Sequence, residues 1–203
     1  MPSRTLPPAA PAEDESPRLH WAAMTFTILV MIGAAVVGLT ADDHFTRLTM
    51  AASVVGCIAL WQTLRDPVVL TGLTIVILGA VLGWGLDFYD RIWWYDDFAH
   101  FTFSLVSTMG IARLVLHRYR ADTAALLLVA LWLSWLGIGS LWEIGEWASD
   151  QLQSTHHSRG YADTMLDMIL NSTGSAIGIA IYWRWLRTPA DVASVTAPEP
   201  QPR

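Results

Sequence analysis

Acidic side chains in this chain are concentrated where three long apolar segments begin or end. The three stretches read WWYDDFAH (93–100), LWEIGEWASD (141–150) and YADTMLDMILN (161–171). They contribute polar residues of the types that take part in catalysis or metal binding: Asp97, His100, Glu143, Glu146, Asp150, Asp163, Asp167 and Asn171. Ionisable side chains at the edge of a hydrocarbon layer are costly, and by default they indicate a functional site.

Helical periodicity places the polar residues of each stretch on one face, because residues three or four positions apart are neighbours on a helix. The spacings are 3, 4 and 3 for Asp97, His100, Ser104 and Ser107, 3 and 4 for Glu143, Glu146 and Asp150, and 4 and 4 for Asp163, Asp167 and Asn171. An ionised carboxylate facing lipid costs about 2.5–3.5 kcal/mol. We therefore expect the three polar faces to turn towards one another.

Several carboxylates brought close together share a proton or recruit a cation. An imidazole beside carboxylates is a common environment for a divalent metal ion. The sequence thus predicts a metal site whose ligands are His100, Asp97, Asp167 and Asp163. Glu143 and Glu146 are the predicted catalytic residues, one carboxylate acting as general base. The predicted substrate-binding residues are Asn171, Arg91 and Arg159.

Part of this pattern has a structural explanation. Asp96, Asp97 and Asp163 precede apolar runs, where acidic residues cap helix N-termini, and Asp150 suits a solvated position. Capping does not explain Glu143 and Glu146, which lie in the C-terminal half of a helix, where negative charge is unfavourable. Arg91 and Arg159 either offset the acidic charge or hold an anionic headgroup, and the sequence favours neither.

The elements that must position these residues are six apolar runs at 21–39, 48–64, 68–86, 98–117, 122–142 and 164–186. A membrane-spanning helix needs about 20 predominantly apolar residues, with about 17 as the lower limit. We expect an all-α polytopic membrane protein, a compact bundle of six transmembrane helices over residues 19–187. The Pro- and Ala-rich residues 1–18 and 188–203 are predicted to be disordered tails.

Charge and cysteine content exclude some classes of protein and suggest an orientation. The formal net charge is −6 and no basic stripe is present, so nucleic-acid binding is not expected. Cys57 is the only cysteine, which excludes an intramolecular disulfide framework. Nine of the twelve arginines would lie on the side of both termini. The positive-inside rule then predicts cytoplasmic termini and acidic stretches on the opposite, extracytoplasmic side.

Read together, the three stretches resemble the YjdF-type bacterial inner-membrane proteins and, more distantly, the VanZ-like family. The resemblance to the first covers most of residues 45–186, and its motif residues are matched by Asp97, His100, Glu143, Glu146, Asp150, Asp163, Asp167, Asn171 and Gly174. It implies a six-helix protein of the bacterial cytoplasmic membrane, with membrane lipids as its surroundings.

Three functions fit these observations. The first is a metal-dependent enzyme acting on a lipid, a lipid-linked molecule or another cell-envelope substrate. The second is a proton-coupled transporter that uses the carboxylates as a relay, although transporters usually place polar sites near mid-membrane. The third is a non-catalytic membrane protein whose acidic cluster only braces three helix ends or docks a partner.

Overall fold

The computed structural model describes residues 16–63, 67–118 and 124–186, and within these residues the chain is helical, without strands. The helices are α1 (Ser16–Thr40), α2 (His44–Thr63), α3 (Pro67–Gly85), α4 (Phe88–Arg91), α5 (Tyr95–Arg118), α6 (Ala124–Gln153) and α7 (Tyr161–Ile181). A π-helical turn, Tyr182–Leu186, follows α7 directly. The predicted all-α class is confirmed for this part of the chain.

Three of these helices are long and apolar enough to cross a membrane: Pro17–Thr40, Ala125–Gln153 and Tyr161–Arg184. The apolar part of α3, Val69–Gly85, is shorter. The helices α2 and α5 have 20 and 24 residues but are more polar, since α5 begins with YDDFAH. Length and composition therefore support three spanning helices in the described residues rather than the six that the sequence predicted.

The helices extend past the apolar runs at the end of the bundle where the acidic residues lie. The predicted run 122–142 belongs to a helix that continues to Gln153, so Glu143, Glu146 and Asp150 are helical residues of α6.

The helix α1 begins at Ser16, three residues before the predicted boundary. Residues 1–15 and 187–203, most of the two predicted tails, lie outside the described residues.

The most extensive helix pair is α5 and α7, which run parallel. One hydrogen bond fixes their register, since Ser104 Oγ donates to Asn171 Oδ1 at 2.6 Å. One turn further on, Thr108 Oγ1 donates to the Ser104 carbonyl within α5 at 2.6 Å and lies 3.4 Å from the Ser175 carbonyl of α7. Gly174 and Gly178 allow this close approach, because a Cβ at either position would meet a carbonyl oxygen of α5. Small residues commonly mediate such helix crossings in membranes.

Polar contacts also connect α1, α3 and α6 to the rest of the bundle. The hydroxyls of Thr27 in α1 and Thr74 in α3 lie 2.9 Å apart and are fully buried. Tyr95 of α5 donates to the Gly79 carbonyl of α3 at 2.7 Å. Trp132 of α6 donates to the Ser172 carbonyl of α7 at 3.1 Å. These bonds hold α5, α6 and α7 in one bundle with α1 and α3.

Substituting Gly178 by leucine should destabilise the protein, because the new side chain would displace the α5 backbone at Leu105. Overpacking of this kind costs about 1–3 kcal/mol or more. Gly137 on α6 is the matched control, since a Cβ there meets no atom within 4 Å. Thermal unfolding in detergent should give a lower Tm for Gly178→Leu than for Gly137→Leu. Equal Tm values would contradict the proposed importance of the α5–α7 crossing.

Candidate metal centre

His100 lies one turn and a half into α5 and is buried, with 8% of its surface exposed. Its Nε2 atom faces carboxylates from three helices. Asp96 Oδ1 of α5 is 3.5 Å away, and Glu143 Oε1 of α6 and Asp167 Oδ1 of α7 are each 3.8 Å away. The predicted convergence of the three polar faces is therefore present in the fold.

Two of these carboxylate oxygens have unusual surroundings. Glu143 Oε1 and Asp167 Oδ1 are buried and have no hydrogen-bond partner among the described residues. Buried polar atoms are nearly always paired, so each unpaired atom requires an explanation. Both atoms point at the same histidine nitrogen from a distance too long for a hydrogen bond.

The separations suit a shared ion better than direct contact. Zinc binds imidazole nitrogen and carboxylate oxygen at about 2.0–2.2 Å, which places tetrahedral ligand atoms about 3.4 Å apart. Asp96, His100 and Asp167 each offer one ligand atom, and these atoms all lie within 4.8 Å of one another. A small contraction would bring them to coordinating distance, with Glu143 as a fourth group beside them.

Asn171 occupies the other side of the imidazole ring. Its Nδ2 atom is 3.1 Å from His100 Nδ1, while its Oδ1 accepts the hydrogen bond from Ser104. In this amide orientation Nδ2 donates to Nδ1, so in the neutral ring the proton is on Nε2. Exchanging the amide oxygen and nitrogen would let Nδ1–H donate to Oδ1 and leave the Nε2 lone pair facing the carboxylates. The Ser104 hydroxyl can donate or accept, so it tolerates both orientations.

Arg159 closes one side of this cluster. Its guanidinium Nη1 is 3.4 Å from Asp96 Oδ2, and its Nη2 donates to the Tyr89 carbonyl. Its backbone N–H donates to Asp163 Oδ2 at 3.2 Å. Gly160, with a φ of 111°, turns the chain from Arg159 into α7. The predicted residues Arg159 and Asp163 thus lie at the rim and bond to each other.

The acidic residue of α5 beside His100 is Asp96 rather than the predicted ligand Asp97. Asp96 precedes His100 by four positions and is buried, whereas Asp97 is half-buried and is not among the residues that could share an ion. Both spacings, three and four, are compatible with one helical face. The sequence periodicity therefore could not decide between the two residues.

The remaining predicted residues lie farther from the imidazole. Glu146 accepts a 2.8 Å hydrogen bond from Trp142 Nε1 and lines a polar cavity of about 310 Å³. We call this cavity the polar vestibule; its ionisable lining residues include Asp87, Asp90, Asp96, Glu146, His156 and Arg159. Arg91 is exposed at the end of α4.

A second, mainly apolar cavity of about 200 Å³ reaches the cluster from within the bundle. We call it the apolar cavity; its apolar lining includes Val76, Ile77, Ala80, Phe103, Ile138 and Trp142. His100, Ser104 and Asn171 form part of its wall. Tyr89 lines both cavities, so its ring lies between them.

Asp150 organises the connection between α6 and α7 rather than the cluster. Its carboxylate accepts hydrogen bonds from the Thr155 hydroxyl and from the backbone N–H groups of His157 and Ser158, at 2.8–3.0 Å. His157 in turn lies 3.4 Å from Asp43, in the connection between α1 and α2. The structural interpretation of Asp150 fits these contacts.

Comparison with known proteins identifies a family. Residues 19–188 match the family described as "Predicted membrane protein (DUF2238)". An uncharacterized protein of Thermotoga maritima is 31% identical over 112 residues, which are 54% of this chain and 58% of the relative. The matched region thus spans somewhat more than half the length of that relative. No solved structure matches the chain.

Acidic pH should weaken the contacts at Asp43. Burial alone would raise the pKa of this carboxyl, but hydrogen bonds from Thr46 and the nearby His157 imidazole outweigh it and lower the pKa below its usual value. A depressed pKa means that the carboxylate stabilises the fold above its unfolded pKa of about 3.9 and loses this contribution as the pH falls through the folded pKa. The Tm difference between wild type and Asp43→Asn should therefore be positive at pH 7 and shrink below about pH 4.

The exposed neighbour Asp42 is the control for this measurement. We expect Asp42→Asn to match the wild type at both pH values. A difference for Asp43→Asn that persists unchanged at low pH would contradict the assignment.

Proposed function

This chain belongs to the DUF2238 family of predicted membrane proteins, and we propose that its three-helix cluster binds a divalent metal ion for chemistry on a lipid or cell-envelope substrate. The observation that carries the proposal is the pair of buried, unpartnered oxygens of Glu143 and Asp167 aimed at His100 Nε2. A buried carboxylate is strongly disfavoured without a compensating charge. Neither oxygen has a hydrogen bond, and a cation would compensate both.

The metal ligands in this proposal are Asp96 and His100, one turn apart on α5, and Asp167 on α7. Imidazole and carboxylate ligands favour zinc, iron or manganese, whereas soft metal ions prefer sulfur ligands. Such an ion supplies a Lewis acid and makes water nucleophilic near neutral pH. Because this ligand set leaves a coordination position open, it fits a catalytic site better than a structural one.

The other side chains have roles that follow from their positions. Glu143, 3.8 Å from His100 Nε2, is placed to act as general base. Asn171 orients the imidazole through Nδ1, as partners of metal-binding histidines commonly do. Arg159 at the rim holds the anionic part of the substrate, and Glu146 lines the route to it through the polar vestibule.

We also propose that α2, α3 and α5 cross the membrane together with the three strongly apolar helices. The helix α5 packs extensively against the spanning helix α7, so we expect the two helices to lie at the same depth in the membrane. Exposed Trp93, Trp94 and Trp147 lie near the acidic end of the bundle, where tryptophan favours a membrane interface. The arginine distribution supports cytoplasmic termini and therefore an extracytoplasmic metal centre. The resemblance to bacterial inner-membrane proteins supports a bacterial cytoplasmic membrane as the location.

Adjacent aspartates provide a sharp test of metal binding. In metal-stripped protein titrated with Zn²⁺ and with Mn²⁺, Asp96→Asn should weaken binding more than about tenfold, because it removes a ligand. Asp97→Asn, one residue away on the same helix, should leave the affinity within about twofold. Calorimetric titration in detergent measures both. Absence of a stoichiometric site in the wild type, or equal affinities of the two variants, would refute the proposed ligand set.

The variant Glu143→Gln distinguishes a reactive carboxylate from one that only braces the helices. Removing an uncompensated buried charge should leave the Tm of metal-free protein unchanged or raise it by a few degrees, at about 2–4 °C per kcal/mol. The increase of Tm on adding metal should be smaller in the variant, since the ion has lost one neighbouring charge. A strongly lowered Tm without metal would instead favour the structural role.

A further inference from the structure

The apolar cavity and the polar vestibule meet at the candidate metal centre from different directions. His100 lines the apolar cavity, while Asp96, 3.5 Å from the same imidazole, lines the polar vestibule. Between them lies the ring of Tyr89, which lines both cavities and packs on Trp84 with a centroid distance of 5.2 Å. Trp142 lines the apolar cavity and packs on the same Trp84 ring at 5.7 Å. A ligand that touches the centre can therefore have one end in apolar surroundings and the other in polar surroundings.

The apolar cavity has the size and lining for part of a hydrocarbon chain. Its volume of about 200 Å³ exceeds that of an apolar cavity of about 150 Å³, which is known to stay dry and to bind benzene. The polar groups in its wall are His100, Ser104 and Asn171 on one side and the hydroxyls of Thr49 and Ser53 on the other, and the remaining lining is mainly apolar. Since Ser104 and Asn171 bond to each other, the rest of the cavity offers mostly apolar contacts.

The cavity also has a side that faces the surroundings of the bundle. Ile138 on α6 lines it and is 50% exposed. The helix α6 packs mainly against α7 and α5 and only lightly against α2, although α2 residues Thr49 and Ser53 form the opposite wall. In a membrane, the compounds that surround such an opening are lipid chains.

We propose that the apolar cavity binds the hydrocarbon chain of a single-chain or prenyl-type amphiphile, which enters between α2 and α6 and presents its polar head to the metal centre. This inference rests on the proposed function, because the chain then positions the reacting group of the substrate. The polar vestibule remains open to water and to the released polar product. The energetic basis of binding is the burial of about 25 cal/mol per Å² of apolar surface.

The test uses a diazirine-bearing hexadecanoic acid as the probe, with the full-length protein in phosphatidylcholine vesicles. Ultraviolet crosslinking followed by peptide mapping should label the cavity wall, in particular the segments around Ile77 and Ile138. The variant Ile138→Trp should reduce this labelling severalfold, because the larger ring fills the opening. Leu133→Trp is the matched control: Leu133 is 54% exposed on the same helix and lies outside the apolar cavity, so its labelling should equal that of the wild type.

A second variant, Ala80→Leu, keeps the test valid if Ile138→Trp does not fold. Ala80 is buried in the cavity wall on α3, so a leucine side chain there would fill part of the cavity. Both variants should reduce the labelling of the cavity wall in protein whose size-exclusion profile shows that it is folded. Labelling spread evenly over all lipid-exposed helices, or unaffected by both variants, would overturn the proposal.

The experiment separates failure of chain binding from failure of metal binding. Chain labelling should persist in excess EDTA and in Asp96→Asn, because the cavity wall contains no proposed metal ligand except His100. Labelling with no metal site in the titrations would sink the proposed function and retain the cavity assignment. A metal site without cavity-specific labelling would overturn the cavity assignment and retain the proposed function.

Discussion

The site depends on the close parallel approach of α5 and α7. At Gly174 and Gly178 the backbone of α7 lies directly against carbonyl groups of α5, and the Ser104–Asn171 hydrogen bond sets the register one turn away. This register places His100 between Asn171 and Asp167. A shift by one turn, about 5.4 Å, would separate these side chains completely. The site geometry is thus a consequence of backbone contact rather than of side-chain flexibility.

The third helix supplies the remaining carboxylates without sharing this tight packing. The helix α6 continues for eleven residues past Trp142, so Glu143 is held on a regular turn that also carries Glu146. Its partner contacts include the Trp132 hydrogen bond to α7. Gly139 completes the approach, since a Cβ there would collide with the Asn171 side chain. The absence of a side chain at Gly139 therefore lets α6 pack against Asn171 one turn before Glu143.

Periodicity and hydrophobicity sufficed to predict the helical class and the convergence of His100, Glu143, Asp167 and Asn171, because both depend on local spacing. They could not separate Asp96 from Asp97, since adjacent residues differ by only 100° around a helix and both fit one polar face. The contact between Arg159 and Asp96 depends on the turn at Gly160, and Tyr89 comes from the short helix α4. Such loop geometry leaves no periodic signal in a sequence. Hydrophobicity also overstated the number of strongly apolar spans, because the apolar part of α3 is short and α2 and α5 are more polar than the other long helices.

The amide of Asn171 gives the imidazole two complementary states. With Nδ2 towards His100 the ring is a proton donor to the carboxylates, and after a half-turn of the amide it is an electron-pair donor. In a neutral ring the proton merely changes nitrogen, so the net charge of the protein is the same before and after. Binding of a cation at Nε2 would then require two linked changes, a half-turn of the Asn171 amide and transfer of the ring proton from Nε2 to Nδ1.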